Sequence, residues 1–195
     1  MRREITGFSN PLLKEIRGLR EKKLRKRAGL FLAEGLRIMT EAREAGFLPE
    51  MLFRVKDRPV HDLEVALEAN VLANNGDVIE TSAEIMAKLS GKDNAQTVVG
   101  VYRDHGTVLA DIDRKAAPIW LVAQSMRDPG NLGTVMRTAD AVGARGLILV
   151  GDCTDPYSVE AVRASMGAVF NVRIIACSEV EFLKFTAGWQ GHVIG

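Results

Sequence analysis

The sequence has little of what staples, coordinates or crosses. It holds two cysteines, Cys153 and Cys177, with no CxxC pair and no histidine at metal-ligand spacing. That pattern excludes a disulfide framework and a zinc site, and two buried free thiols in a reducing compartment are expected. No apolar run approaches the ~20 residues that span a bilayer. The N-terminus carries charges but no apolar h-region, so it does not read as a secretory signal. Its arginines lack the amphipathic, serine-rich, acid-poor setting of a mitochondrial transit peptide. A cytoplasmic protein with no membrane partner and no metal is expected. There is no GxGxxG and no P-loop, which disfavours a dinucleotide site. Internal repeats and low-complexity tracts are missing too. What remains is ordinary for a soluble globular chain, with 47% apolar and 26% charged residues. The 195 residues suit one large domain or two small ones.

The net charge of +1 hides an asymmetry. Residues 1–37 hold eleven Lys and Arg against four acids, a net +7, which leaves −6 for the remainder. A basic segment on an acidic chain fits a surface that tracks phosphates. A solvated helix face fits it equally well.

Asn10-Pro11 predicts a helix start, with Asn as cap and Pro at the first helical position. Leu12, Leu13, Ile16 and Leu19 then recur at helical spacing until Gly29 closes the basic stretch. Strands are expected at 31–33, 51–55, 77–80 and 97–102. Helices are expected at 36–45 and 60–69, and a further one opens on a Thr81/Glu84 capping box. Phe8, Phe31 and Phe47 are spaced as core residues rather than as a base-stacking set. Residues 105–117, with charges, a glycine and little periodicity, read as a linker. Strands at 119–123, 146–150, 172–175 and 192–194 then alternate with helices at 131–142, 158–166 and 180–185. Short apolar strands separated by helices imply a parallel sheet covered on both faces. The fold class is therefore α/β, with a small N-terminal unit over 1–104 and a parallel-sheet unit over 118–195.

Ligands of such sheets sit beyond the carboxyl ends of the strands. Two loops fall there, Gln124–Gly133 and Gly151–Ser158. Asn131 reads either as a loop or helix-cap residue or as part of a site. Arg137 stands among Val135, Met136, Thr138 and Ala139. An arginine in that setting either pairs with Asp140 or Asp128, or faces a cleft and holds a phosphate or a developing oxyanion.

The stretch DPGNLGTVMRTADAVGA, Asp128 to Ala144, resembles the first signature of the SpoU/TrmH family (SPOUT superfamily) of RNA methyltransferases. PYSVEAVRASMGAVFNV, Pro156 to Val172, is similar to the second. KKLRKRAGLFLAEGLR, Lys22 to Arg37, resembles the ribosomal-protein-like α/β RNA-binding domain that precedes the catalytic domain in many members. The resemblance covers nearly the whole chain. It implies methyl transfer from S-adenosyl-L-methionine to a ribose 2′-hydroxyl in ribosomal or transfer RNA, the N-terminal domain favouring ribosomal RNA, by a homodimer joined through the catalytic domain. It assigns Arg137 as the catalytic arginine and Asn131 as the asparagine of the first motif. Arg163 and Ser165 fall in the second motif. Gly195 resembles the glycine that starts the cofactor loop. Lys22, Lys23, Arg25, Arg27 and Glu34, with Phe31 and Gly35, match the RNA-binding part. The third signature, which closes a trefoil knot in the family, is missing from these residues, so a truncated or partly ordered longer protein is expected. A transfer-RNA enzyme, a non-catalytic RNA-binding relative and a small-molecule enzyme are the competing readings.

Overall fold

Asn10 opens the first helix as its side chain predicts: Oδ1 accepts from the Leu12 amide at 2.9 Å, and Pro11 needs no partner for an N–H it lacks. In the computed structural model, which describes residues 1–91, 95–104, 106–113 and 119–195, this helix, α1, spans Pro11–Gly18. The chain then turns, and the basic run forms a second helix, α2, over Lys22–Ala28. Gly29, at φ 63°, ends it.

The first sheet combines β1 (Arg2–Ile5), β2 (Leu30–Glu34), β3 (Met51–Val55), β4 (Asp77–Thr81) and β5 (Val98–Arg103) in the order β1-β4-β3-β5-β2. The β1–β4 and β3–β4 pairs are parallel, and β5 runs antiparallel to both β2 and β3. Strand alternation sends neighbouring residues to opposite faces. Leu32, Phe53, Ile79, Val99 and Val101 pack under α1 and α5 (Ala83–Ser90). Phe31, Ala33, Leu52, Val78 and Tyr102 pack on the other face, under α3 (Leu36–Glu44) and α4 (Asp62–Ala73).

The second sheet is the parallel trio β6 (Trp120–Gln124), β7 (Gly146–Val150) and β8 (Arg173–Cys177), in that order. Its helices are α6 (Pro129–Ala141), α7 (Val159–Ser165), α8 (Ala168–Asn171) and α9 (Glu179–Thr186). Within the stretch expected to link the two units, Ile112 is buried against Ile148, Val150, Ile175 and Phe185 of the second. The rest of that expectation, His105 and residues 114–117, lies outside the described residues.

The two sheets share one core. Phe170 of α8 meets Tyr102 at 4.7 Å, Phe31 at 5.8 Å and Phe47 at 6.0 Å between ring centroids, and Tyr157 meets Phe31 at 4.9 Å. The chain has two tyrosines and seven phenylalanines, so this seam takes both tyrosines and three of the seven phenylalanines. Beside the rings, the Arg25 guanidinium crosses the seam to Asp155 at 2.8 Å, with both side chains at most 10% exposed. Arg25 also donates to the carbonyls of Leu19 and Arg20. A second close approach lies inside the second unit. A Cβ on Gly133 of α6 would stand 2.3 Å from the Ala164 Cβ and 2.8 Å from the Ser165 amide nitrogen of α7.

Several expectations need correction. The cap of α5 is Ser82, whose hydroxyl accepts from the Ile85 amide, while Thr81 is fully buried at the end of β4. Asp128, not Asn131, caps α6; its Oδ1 accepts from the Asn131 amide at 2.6 Å. Helix α4 begins after His61, whose Nδ1 accepts from Leu63, and it runs on to Ala73. Residues 192–195 form no strand: a strand needs a partner to pair with, and Val193 and Ile194 are 68% and 90% exposed. Phe31 is core, but Phe8 is half exposed.

Arg25→Met should cost about 3–5 kcal/mol, because it leaves Asp155 buried without its counter-charge. Urea unfolding measures this, and a loss below about 1 kcal/mol would show that the pair does not hold the seam. Gly133→Ala should cost about 1–3 kcal/mol by forcing α6 away from α7, seen as a lower urea midpoint with an unchanged slope.

Candidate functional site

Helix α6 carries both residues singled out for chemistry. Its inner face, Leu132, Gly133, Met136 and Ala139, is buried against α7 and β7. Its outer ridge runs Asn131, Thr134, Arg137, all exposed. Six residues at 1.5 Å each separate Asn131 from Arg137 by roughly 9 Å along the axis, and Thr134 lies between them. The Arg137 guanidinium donates to Thr134 Oγ1 at 3.5 Å, and no described carboxylate pairs with it. Asp140 is engaged by the Asn171 amide at 3.1 Å, and Asp128 serves as the cap. Arg137 therefore faces open space with its charge available to an anion.

That space is a cavity of about 280 Å³ at the seam, lined by Arg137 and Asp140 of α6, Met166, Gly167 and Asn171 after α7, and Glu41 of α3. The turn at Gly167 sits so near α3 that a Cβ there would meet the Glu41 Cβ at 2.6 Å. Met166, in the left-handed region at φ 54°, also lines an adjoining cavity of about 200 Å³ with Arg37, Arg163, Gln96 and the Gly35–Leu36 start of α3. Arg37 and Arg163 are exposed and pair with no described carboxylate. No side chain caps α3, so its first-turn amides add positive potential to the two guanidiniums. Three arginines from α3, α6 and α7 thus ring one seam. Arg37 was not among the expected contact residues. The available signal was its place two residues after Gly35, at a helix start.

The other expected site residues divide. Lys22, Lys23 and Arg27 are exposed on α2. Arg25 is buried on the same helix, with its guanidinium paired to Asp155. Glu34 is 6% exposed, lies 3.5 Å from Arg20, and borders the cavity that Arg37 and Arg163 line. Ser165 is fully buried beneath the Arg137 cavity, and its hydroxyl donates to the Val162 carbonyl at 2.7 Å.

At the carboxyl edge of the second sheet, Ser125 and Gly151 take positive φ values of 53° and 72°. A Cβ on Gly151 would lie 3.8 Å from Ser125 Oγ, so the two loop starts stand side by side. The Arg127–Asp152 pair, at 3.2 Å, lies exposed beside them. Gly195 is exposed, with no atom within 4 Å of its Cβ position. Among the described residues no group of three or more His, Cys, Asp or Glu could hold a metal ion, and no helix is long and apolar enough to cross a membrane.

Comparison with known proteins matches residues 10–100 to the MRM3-like substrate binding domain and residues 118–191 to the SpoU rRNA Methylase family. The chain is 31% identical over 163 residues to the mitochondrial rRNA methyltransferase 3 of Xenopus tropicalis, a match covering 80% of this chain and 38% of that protein. The AdoMet-bound rRNA methyltransferase of Sinorhizobium meliloti superposes with a TM-score of 0.84 at 37% identity, covering 96% of this chain and 69% of that one. A solved RNA 2′-O ribose methyltransferase gives 0.74 at 32% identity, covering 95% and 69%. The chain thus spans well under two thirds of the length of the frog relative. On the strength of both matched models and these structural likenesses, the chain belongs to the SpoU family of RNA methyltransferases.

Proposed function

We propose that the protein methylates a ribose 2′-hydroxyl of RNA with S-adenosyl-L-methionine, ribosomal RNA being the favoured substrate and transfer RNA the alternative. The observation that carries this reading is the ring of Arg37, Arg137 and Arg163, three guanidiniums on one seam without a carboxylate partner among the described residues. The names of the frog and Sinorhizobium relatives favour ribosomal RNA. In this reading residues 1–104 bind the substrate and residues 118–195 serve the chemistry.

A 2′-hydroxyl becomes nucleophilic as it loses its proton, so charge grows on its oxygen. Arg137 is suited to meet that charge and to grip the neighbouring phosphate with its planar fork. A guanidinium stays protonated, so the proton leaves to phosphate or water and not to Arg137. Asn131, on the same ridge, positions the ribose. Both act chiefly by holding the hydroxyl in line for transfer. S-adenosyl-L-methionine, when bound, supplies the methyl group, and the Ser125–Gly151 edge would form one wall of its site. Lys22, Lys23 and Arg27 would add affinity for the phosphate backbone without choosing sequence.

The test uses labelled S-adenosyl-L-methionine with ribosomal RNA. Wild type should leave label in nucleotides that resist alkaline cleavage. Arg137→Ala should slow this roughly 100-fold or more, and Arg137→Lys should recover little of it because lysine lacks the fork. A lysine variant close to wild type would sink the bidentate role, and label in alkali-sensitive nucleotides would sink ribose methylation.

A homodimer joined through the second unit belongs to the same reading. Ile119, Val122, Val142, Val180 and Leu183 of that unit are 48–67% exposed, and a partner subunit would cover such apolar side chains. Analytical ultracentrifugation should find a dimer; a monomer at every concentration would overturn this.

A further inference from the structure

Phe8 stands in the turn between β1 and α1, closed by the Asn10 amide donating to the Gly7 carbonyl at 3.2 Å. Its ring is 51% exposed, although burying a phenylalanine side chain is worth about 1.5–3 kcal/mol. The ring forms part of a cavity of about 260 Å³ between α1 and α5. The floor is apolar: Leu13, Ile85 and Leu89 are buried there. The rim is cationic: Lys14, Arg17 and Lys88 surround the opening, all exposed and none paired with a described carboxylate. Lys88 Nζ lies 3.8 Å from the Phe8 ring centroid. Phe8 and Lys88 are both exposed, and the ammonium lies over one face of the ring at the edge of the cavity.

An apolar floor, an aromatic face and a ring of cations together match one ligand chemistry. The flat, weakly polar part enters and stacks, and the anionic part stays at the rim. A nucleotide has that division, with a base for the ring and phosphates for the lysines and arginine. We propose that this cavity receives an unpaired base of an RNA strand, stacked on Phe8 with its flanking phosphates held by Lys14, Arg17 and Lys88. The base displaces the Lys88 ammonium from the ring, and the flexible lysine stem carries it to the phosphate. From the cavity the strand has a cationic path. Helix α1 leads into α2, whose Lys22, Lys23, Lys26 and Arg27 are exposed. Helix α2 is tied by Arg25 to Asp155, in the loop after β7. The cavity thus extends the RNA footprint to the face of the first sheet opposite the Arg137 seam. The inference rests on the reading of the chain as an RNA-binding enzyme.

The experiment measures binding of the chain to a fluorescent uridine decamer and to an abasic ribose-phosphate decamer of equal charge. Phe8→Ala should weaken binding to the uridine strand by about five- to 150-fold, the range for loss of one base–aromatic stack. It should leave the abasic strand unchanged. Phe8→Trp should keep uridine affinity at wild-type level or above. Arg17→Gln should weaken both strands alike. The proposal is overturned if Phe8→Ala binds uridine as wild type does, or if it weakens both strands equally. A wild type that binds neither strand overturns both this inference and the RNA reading. Base-dependent binding through Phe8 without methyl transfer to ribosomal RNA upholds this inference and removes the catalytic reading alone.

Discussion

Everything proposed for the seam depends on one apolar contact, the insertion of Phe170 between Tyr102, Phe31 and Phe47. A three-stranded sheet with four short helices has a small interior of its own, and small domains bury too little surface to be well stabilised. Here the second sheet borrows the interior of the first. One contiguous core runs from Leu52 and Val78 through Phe31 and Phe170 to Leu147 and Leu149. The arginine ring is a by-product of that shared core, because α3, α6 and α7 meet only where the two sheets are pressed together. The Tyr102 hydroxyl shows how strong the apolar constraint is. It is buried with no hydrogen-bond partner among the described residues, and burial pushes the phenol well above its ordinary pKa.

Much of this fold is written in local pattern. The Asn10-Pro11 start, the Gly29 stop and the apolar strands at 51–55 and 146–150 are each set by residues within one turn or one strand, and they lie where periodicity places them. Arg137 was readable as an arginine out of place among apolar neighbours. Periodicity does not reveal partners, however. Arg25 and Lys26 are adjacent basic residues of one helix, and only tertiary contact decides that the first is buried and the second exposed. The same blindness hid β1. Its sequence, Arg-Arg-Glu-Ile, has one apolar residue, yet it pairs with β4 along its whole length.

Helix α4 is the sharpest case. It buries Glu64 and Glu68 and leaves Leu63 and Val65 at 40% and 55% exposure, the reverse of what residue type suggests. The reason is Arg54 of β3, itself 8% exposed, which lies 3.4 Å from Glu64, 3.2 Å from Glu68 and 3.1 Å from Glu80. Arg58 grips both oxygens of Glu64, and Arg2 reaches Glu68. Burial holds the Glu68 carboxyl above the ordinary carboxylate range, against the opposing pull of Arg54 and Arg2. Three arginines thus face three glutamates, balancing charge where one buried alone would be costly, and a set assembled from three distant segments leaves no mark in any window of the sequence.

The Arg25–Asp155 tie divides helix α2 into two kinds of position. Arg25 faces inward, fastened to a loop of the other unit; Lys22, Lys23, Lys26 and Arg27 face water and bear no structural duty among the described contacts. The four outward cations could be exchanged one at a time with the frame untouched. Arg25 could not be exchanged without reworking Asp155 in the same step. The helix thus separates evolvability from stability, and the freedom to vary resides in residues that make no ion pair or side-chain hydrogen bond among the described contacts.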